Sequence, residues 1–167
     1  MNILFIRHGK AEDRAAFSWS AKKDAARALT ETGRRELRKV AKGARKFAPD
    51  IDLLAASPLR RAQETADIVA KVFGVTEIVE QPLLSPDADA MALFDWLAEQ
   101  SGDATVALVG HEPDLSRFIA LLLTGKPVSL VTLKKGACAL IEFPGKPAAG
   151  RGTLLWLLQP GQLRKLA

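Results

Sequence analysis

Short apolar runs and helical apolar stripes take turns along this chain. Asn2–Ile6 is an apolar run closed by the charged pair Arg7-His8, the pattern of a strand covered on both faces. A polar stretch from Lys10 to Ala28 follows and reads as loop with a short helix. Leu37, Val40, Ala41, Ala44 and Phe47 then recur at helical spacing, with Thr30 as N-cap, Glu31 in the first turn and Pro49 beyond the end. Leu53–Ala56 reads as a second strand. Ser57 and Pro58 punctuate it, and the expectation is that Ser57 caps a helix with Pro58 at its first position. Ala62, Ala66, Val69 and Phe73 are that helix's apolar face. Glu77–Glu80 is read as a short strand, and Ala90, Phe94 and Leu97 as the face of a further helix. Thr105–Val109 is a third buried strand, running into Gly110-His111. Leu115, Phe118, Ile119 and Leu122 form the helix behind it, with Asp114 as its expected cap. Cys138–Phe143 and Thr153–Leu158 look like paired strands around the Pro/Gly-rich loop Pro144–Gly152.

Strands alternating with helices imply an α/β fold, here three α/β/α layers around a mostly parallel central sheet. In such sheets ligands bind beyond the carboxyl ends of the strands. Three segments follow directly on predicted strands: Arg7-His8-Gly9, Ser57 to Arg61, and Gly110-His111. The only two histidines of the chain are therefore expected on one edge of one sheet.

Composition narrows the class. At 167 residues, 48% of them hydrophobic, residues 1–167 are expected to form one globular domain with a core that needs no disulfide staple. Cys138 is the single cysteine, which fits a reducing compartment. No targeting segment is visible, and the run Leu154–Leu158 is far below the roughly 20 residues that cross a bilayer. The chain is read as a cytoplasmic protein without a membrane partner, and as a monomer. Its net charge of +5 is read first as a basic solvated surface, with Arg34, Arg35, Arg38, Lys39, Lys42, Arg45 and Lys46 on the wet face of one helix. Nucleic acid is not expected as a partner: zinc-finger spacing and RNP-type aromatics are missing, as is tyrosine altogether.

The residues at the strand ends suit phosphoryl chemistry. Phosphoryl transfer is catalysed largely by positioning and by electrostatic stabilisation of the phosphoryl oxygens. An arginine fork pairs with those oxygens bidentately and stays charged. Arg7 ends a strand, and Arg61 lies in the first turns of its helix, leaning back toward the sheet edge. A histidine supplies a nucleophilic nitrogen or, protonated, a donor to the phosphoryl group. His8 is assigned the first role and His111 the second, with neighbouring guanidiniums favouring neutral imidazole.

Four ordered segments also resemble the histidine phosphatase superfamily, whose fold is phosphoglycerate-mutase-like. Arg7-His8-Gly9 resembles its RHG signature, and Leu29 to Gly33 its LTxxG helix start. Ser57 to Ala66 is similar to its SxLxRAxQTA segment, and Gly110-His111-Glu112-Pro113 to its GHNP-type segment. The chain looks most like the small SixA-type phosphohistidine phosphatases, which Lys134 to Ala139 and Leu155 to Pro160 also resemble. The resemblance implies transient phosphorylation of His8 while Arg7, Arg61 and His111 hold the phosphoryl oxygens. It implies a substrate-contacting role for Arg27, and Gly9 is taken as a further substrate-binding position.

Two positions depart from the family pattern: Glu64 stands where Gln is frequent, and Glu112 where Asn is. Each puts a carboxylate near the expected anion site. The general-acid Glu of the mutases and larger phosphatases has no clear counterpart; the region Leu83 to Asp89 offers only Asp87 or Asp89, either of which also suits a helix cap. A phosphomonoester expels an alkoxide and needs a proton at once, whereas phosphohistidine expels an imidazole, a better leaving group. The expected activity is that of a metal-independent phosphohydrolase, with no cofactor, acting on a phosphohistidine-bearing protein. A phosphatase for a small phosphoester or phosphoanhydride is the nearest alternative, and a non-catalytic phosphoprotein-binding module the alternative of another class. Metal chemistry is not expected from two histidines and one cysteine without ligand spacing.

Overall fold

The computed structural model of the chain describes residues 1–13, 24–128 and 130–167. Residues 14–23 of the stretch read as loop with a short helix lie outside the described residues. The strands are β1 (Asn2–Arg7), β2 (Leu53–Ala56), β3 (Ile78–Glu80), β4 (Thr105–Gly110), β5 (Cys138–Glu142) and β6 (Thr153–Leu158). They form one sheet in the order β3-β2-β4-β1-β5-β6. The ladders β3-β2, β2-β4 and β4-β1 are parallel; β1-β5 and β5-β6 are antiparallel. The α-helices are α1 (Glu31–Arg45), α2 (Arg60–Phe73), α3 (Ala90–Ala98), α4 (Asp114–Thr124) and α5 (Pro160–Lys165).

The strand period of two splits the core into two layers. Leu4 and Ile6 of β1, with Leu54, Ala56, Ala107 and Val109, face Leu37 and Val40 of α1, Ala62, Ala66 and Val69 of α2, and Leu163 of α5. Ile3 and Phe5 alternate to the other side, with Ala55, Val106 and Leu108, against Leu93 and Leu97 of α3 and Phe118, Ile119 and Leu122 of α4. Phe5 meets Phe118 edge-on, ring centroids 6.1 Å apart. The three-layer α/β/α arrangement is the expected one.

Local sequence sets the start of α1. The Thr30 hydroxyl accepts from the Gly33 amide at 3.0 Å and donates to the Lys10 carbonyl at 3.2 Å. A Cβ on Gly33 would stand 2.1 Å from that same carbonyl oxygen, so only glycine lets the helix come this close to the chain leaving β1.

Several boundaries differ from the sequence reading. Helix α1 stops at Arg45, and Phe47 lies past its end, 50% exposed, its carbonyl accepting the Trp156 indole N–H at 3.2 Å. Ser57 does not cap α2: the helix begins at Arg60 with Leu59 in the cap position and no side-chain cap bond. The Ser57 hydroxyl is drawn instead into a bond with the second histidine, described below. Pro113 takes the N-cap position of α4, and Asp114 is the helix's first residue, where its carboxylate still meets the helix dipole. On α3 the buried face is Leu93 and Leu97 rather than Phe94, which is only half-buried.

Candidate active site

The parallel register lines up the carboxyl ends of β1, β2 and β4. The His8 amide donates to the Gly110 carbonyl at 3.1 Å, and the Ser57 amide to the Val109 carbonyl at 3.0 Å. Three strand ends far apart in sequence thus open onto one edge. The rings of His8 and His111 meet there with centroids 5.0 Å apart. Both are buried.

His8 Nδ1 lies 2.7 Å from the carbonyl oxygen of Gly9. A carbonyl only accepts, so Nδ1 carries the proton and Nε2 keeps its lone pair. Burial pushes the imidazole down to about 3, against the Gly9 bond, with the cations Arg61, Arg7 and Lys135 adding to the fall. His111 is pushed down to about 2, again by burial first, then by His8 and the guanidiniums of Arg61, Arg7 and Arg27. Lost solvation therefore keeps both rings neutral more than the neighbouring arginines do. His111 Nε2 lies 2.9 Å from Ser57 Oγ, a partner offered by the turn that does not cap α2.

The backbone around His8 is fastened on both sides. The Gly9 amide donates to Thr65 Oγ1 at 3.1 Å, and that hydroxyl donates to the Arg61 carbonyl at 2.7 Å. Gly9 thus has its amide and its carbonyl both engaged. Arg7 donates from Nη1 to the Leu133 carbonyl at 2.5 Å. The Leu133 amide donates to Glu112 at 3.1 Å, and the same Glu112 oxygen accepts from Ser116 at 2.5 Å. Burial lowers the Arg7 guanidinium from its ordinary value while Glu112 raises it, and an arginine so placed stays charged. The Glu112 carboxylate thus anchors the segment that holds Arg7.

Arg61 is buried and donates from Nη1 to the Asp24 carbonyl at 2.9 Å, with Nη2 3.2 Å from Asp24 Oδ2. Arg27, also buried, donates from Nε to Asp24 Oδ1 at 2.9 Å and from Nη1 to the Glu12 carbonyl at 2.8 Å. Asp24 therefore joins the two arginines. Burial raises its carboxyl, but Arg61 and Arg27 outweigh it and hold the group below the usual carboxylate range. Sequence reasoning missed Asp24; its only signal is the spacing of three to Arg27, one helical turn. Thr65 was legible only as a member of its motif.

Glu64 spends its carboxylate on the Leu29 amide at 2.8 Å, Arg34 at 2.7 Å and Arg60 at 2.9 Å. It binds the entry of α1 to α2, which accounts for a carboxylate in that position. Among the described residues, Arg7 Nε and His111 Nδ1 are buried without a hydrogen-bond partner. Leaving such atoms unmatched costs about 1–3 kcal/mol each. An anion bound between the two histidines would supply acceptors.

Beyond His111 the surface changes character. A cavity of about 300 Å³ opens there, walled by Leu83, Leu84, Leu115 and Phe118, with Asp87, Asp114 and Arg117 also lining it. The two acid candidates separate. Asp89 accepts from the Met91 amide at 2.8 Å and caps α3, whereas Asp87 is exposed and lines the cavity beside His111. Cys138 is buried, its thiol pushed up to about 12 by burial, which makes it an inert core residue. Among the described residues no group of three His, Cys, Asp or Glu side chains converges as a metal site. No helix among them is long and apolar enough to cross a membrane.

Comparison with known proteins bears on this edge. A family model described as the histidine phosphatase superfamily (branch 1) matches residues 3–85. An uncharacterized protein of Picosynechococcus sp. is 34% identical over 138 residues, 81% of either chain. Phosphohistidine phosphatase SixA of Escherichia coli (strain K12) is 26% identical over 167 residues, covering 98% of this chain and 97% of its own. The solved structure of the protein histidine phosphatase SixA complexed with tungstate superposes with a TM-score of 0.82 at 25% identity, over 98% of this chain and 99% of that one.

Proposed function

The chain belongs to the histidine phosphatase superfamily, and from that premise we propose that it hydrolyses phosphohistidine in proteins through a phosphorylated His8. The observation that carries this reading is the arrangement of His8: Nδ1–H is tied to the Gly9 carbonyl, so Nε2 keeps its lone pair, in a ring 5.0 Å from that of His111 and under the charge of Arg61 and Arg7. In the first step Nε2 attacks phosphorus, the P–N bond of the substrate breaks, and the leaving imidazole keeps the bonding pair and takes up a proton. In the second, water attacks phosphorus, the P–Nε2 bond breaks, and inorganic phosphate departs with the oxygen and its protons. Arg7 and Arg61 carry the charge of the phosphoryl oxygens in both. His111, neutral in the free site, becomes a donor when a bound dianion raises its affinity for a proton. Arg27 contacts the substrate side of the same anion site, and Gly9 serves by shaping the backbone that orients His8.

Two features support phosphohistidine over a phosphomonoester. Full-length similarity to a phosphohistidine phosphatase is one. The other is the carboxylates: Glu64, Glu112 and Asp24 are occupied by amides, hydroxyls or arginines, Asp89 caps a helix, and residues 14–23 contain no acid. Asp87 and Asp114 both line the cavity, but Asp114 accepts the Asp87 amide at 3.1 Å and lies 3.9 Å from Arg117, which among the described residues leaves Asp87 as the cavity's uncommitted carboxylate. An imidazole leaving group tolerates that arrangement because it departs without a strong acid. The apolar cavity favours a second reading, a small organic phosphoester whose leaving group fills it.

A substrate panel decides between them: a phosphohistidine peptide, a phosphorylated phosphotransfer domain, an aryl phosphate and sugar phosphates, assayed side by side. The expected result is kcat/KM at least about 10²-fold higher for phosphohistidine than for the sugar phosphates, with aryl phosphate between them. A sugar phosphate as best substrate, with Asp87 essential, establishes the second reading.

A further inference from the structure

Two lysines flank the nucleophile without being part of the chemistry described above. Lys10 follows Gly9 directly, and its carbonyl is held by the Thr30 amide at 2.9 Å and by the Thr30 hydroxyl. Lys135 precedes Gly136, whose amide donates at 3.1 Å to the carbonyls of both Arg7 and His8. Gly136 has φ +82°, the left-handed geometry that lets this turn fold back onto the nucleophile's backbone. Lys10 and Lys135 are thereby fixed at their backbones on either side of His8, while both side chains are exposed. They line one narrow crevice beside Gly9, together with Gly136, Pro160 and Glu36. Glu36 is paired with Arg164 at 3.2 Å. Among the described residues neither lysine has an ion-pair or side-chain hydrogen-bond partner.

Charge at this edge exceeds what one phosphoryl group neutralises. Lys135 is held below the ordinary lysine range by lost solvation first and then by the neighbouring cations Arg7, Arg27, Lys10 and Arg61. Asp24 matches part of the charge of Arg27 and Arg61, and Glu112 part of that of Arg7. A phosphoryl group brings between one and two negative charges. Once it sits on Arg7 and Arg61, the two lysines still face each other unmatched.

We propose that Lys10 and Lys135 form a second anion subsite that receives a carboxylate of the substrate polypeptide next to its phosphorylated histidine. The subsite rests on the phosphohistidine reading for the identity of the polypeptide, not for its charge. Its anion is a side-chain carboxylate because the lysines are exposed, separate point charges around a crevice, suited to a mobile acidic side chain rather than to a bidentate clamp.

The test uses the full chain and two phosphohistidine peptides that differ only in having Glu or Gln on either side of the phosphorylated residue. The expected result is a preference of about fivefold in kcat/KM for the Glu peptide at low salt, shrinking as ionic strength rises. The double change Lys10→Met with Lys135→Met lowers the rates on both peptides and brings their ratio close to one. Lys10→Arg with Lys135→Arg keeps the preference, which separates lost charge from lost folding. Equal rates on the two peptides in the unaltered chain, or a preference that survives the methionine changes, overturns the subsite. A parallel pair, 4-(carboxymethyl)phenyl phosphate and its amide, keeps this outcome apart from the substrate class. If neither peptide is cleaved but the carboxylate ester is preferred in a lysine-dependent way, the phosphohistidine reading fails and the anion subsite stands; without that preference both fall.

Discussion

Around His8 the polar groups are tied down: the Gly9 amide to Thr65, the Gly9 carbonyl to the His8 ring, the Arg7 guanidinium to the Leu133 carbonyl, and Arg61 to Asp24. On the far side of His111 the walls are mainly apolar, Leu83, Leu84, Leu115 and Phe118 around an open cavity, with Asp87, Asp114 and Arg117 also lining it. One region is built from directional bonds, the other mostly from hydrocarbon. The first suits a reaction in which charge must be met at fixed points; the second tolerates many leaving groups and demands little of their geometry. Rate should therefore be sensitive to small changes on the His8 side and indifferent to polar changes on the cavity side.

The largest break is at the nucleophile. His8→Ala is expected to lower turnover by about 10⁴-fold or more, and mapping of an acid-labile, alkali-stable phosphate trapped without acid in the unaltered chain should find it on His8. Label on any other residue removes that assignment.

Burial of the two rings gives the next effect, in stability. Folded His8 and His111 are held to about 3 and about 2, whereas in the unfolded chain both titrate near 6.5. Between those values the unfolded chain binds protons that the folded chain refuses. Stability is complete above about pH 6.5 and falls as pH drops below it, by at most about 1.4 kcal/mol per pH unit for each histidine. Denaturant unfolding should show a loss of up to about 4 kcal/mol between pH 6.5 and 5. His111→Gln should roughly halve the slope; an unchanged slope would contradict the role given to burial.

A smaller contrast separates adjacent arginines. Arg61 is buried against Asp24, while Arg60 is exposed and pairs with Glu64 on the helix surface. Arg61→Lys keeps the charge but loses the fork, with an expected fall of about 10²-fold in kcat/KM; Arg60→Lys should change it less than about twofold. Similar losses at both positions would mean that helix stability, not phosphate contact, is being read.

The smallest effects belong to the cavity side. Asp87→Asn and Asp89→Asn should each alter phosphohistidine turnover by less than about threefold, the second because asparagine caps a helix as well as aspartate does. A large loss at Asp87 with an acid limb in the pH profile would make it a general acid and give the cavity side a share in the rate.

Much of this molecule was written in its local sequence. The apolar runs of β1, β2 and β4, the Thr30 cap, the helical stripes and the placing of Arg7, His8, Arg61 and His111 after strands all follow from period and turn chemistry, which act over a few residues. Nothing local could say that Ser57 would give its hydroxyl to His111 rather than cap α2, since the two are 54 residues apart and meet only because β2 and β4 are paired. The same holds for Asp24 joining Arg27 to Arg61, and for Glu64 and Glu112, which in sequence look like charges beside an anion site and in the fold are fasteners of backbone. Hydrophobic pattern determines which elements form, because burial is nondirectional and averages over many residues. Which polar groups find each other is decided by tertiary structure, because a hydrogen bond needs its partners within a few tenths of an ångström.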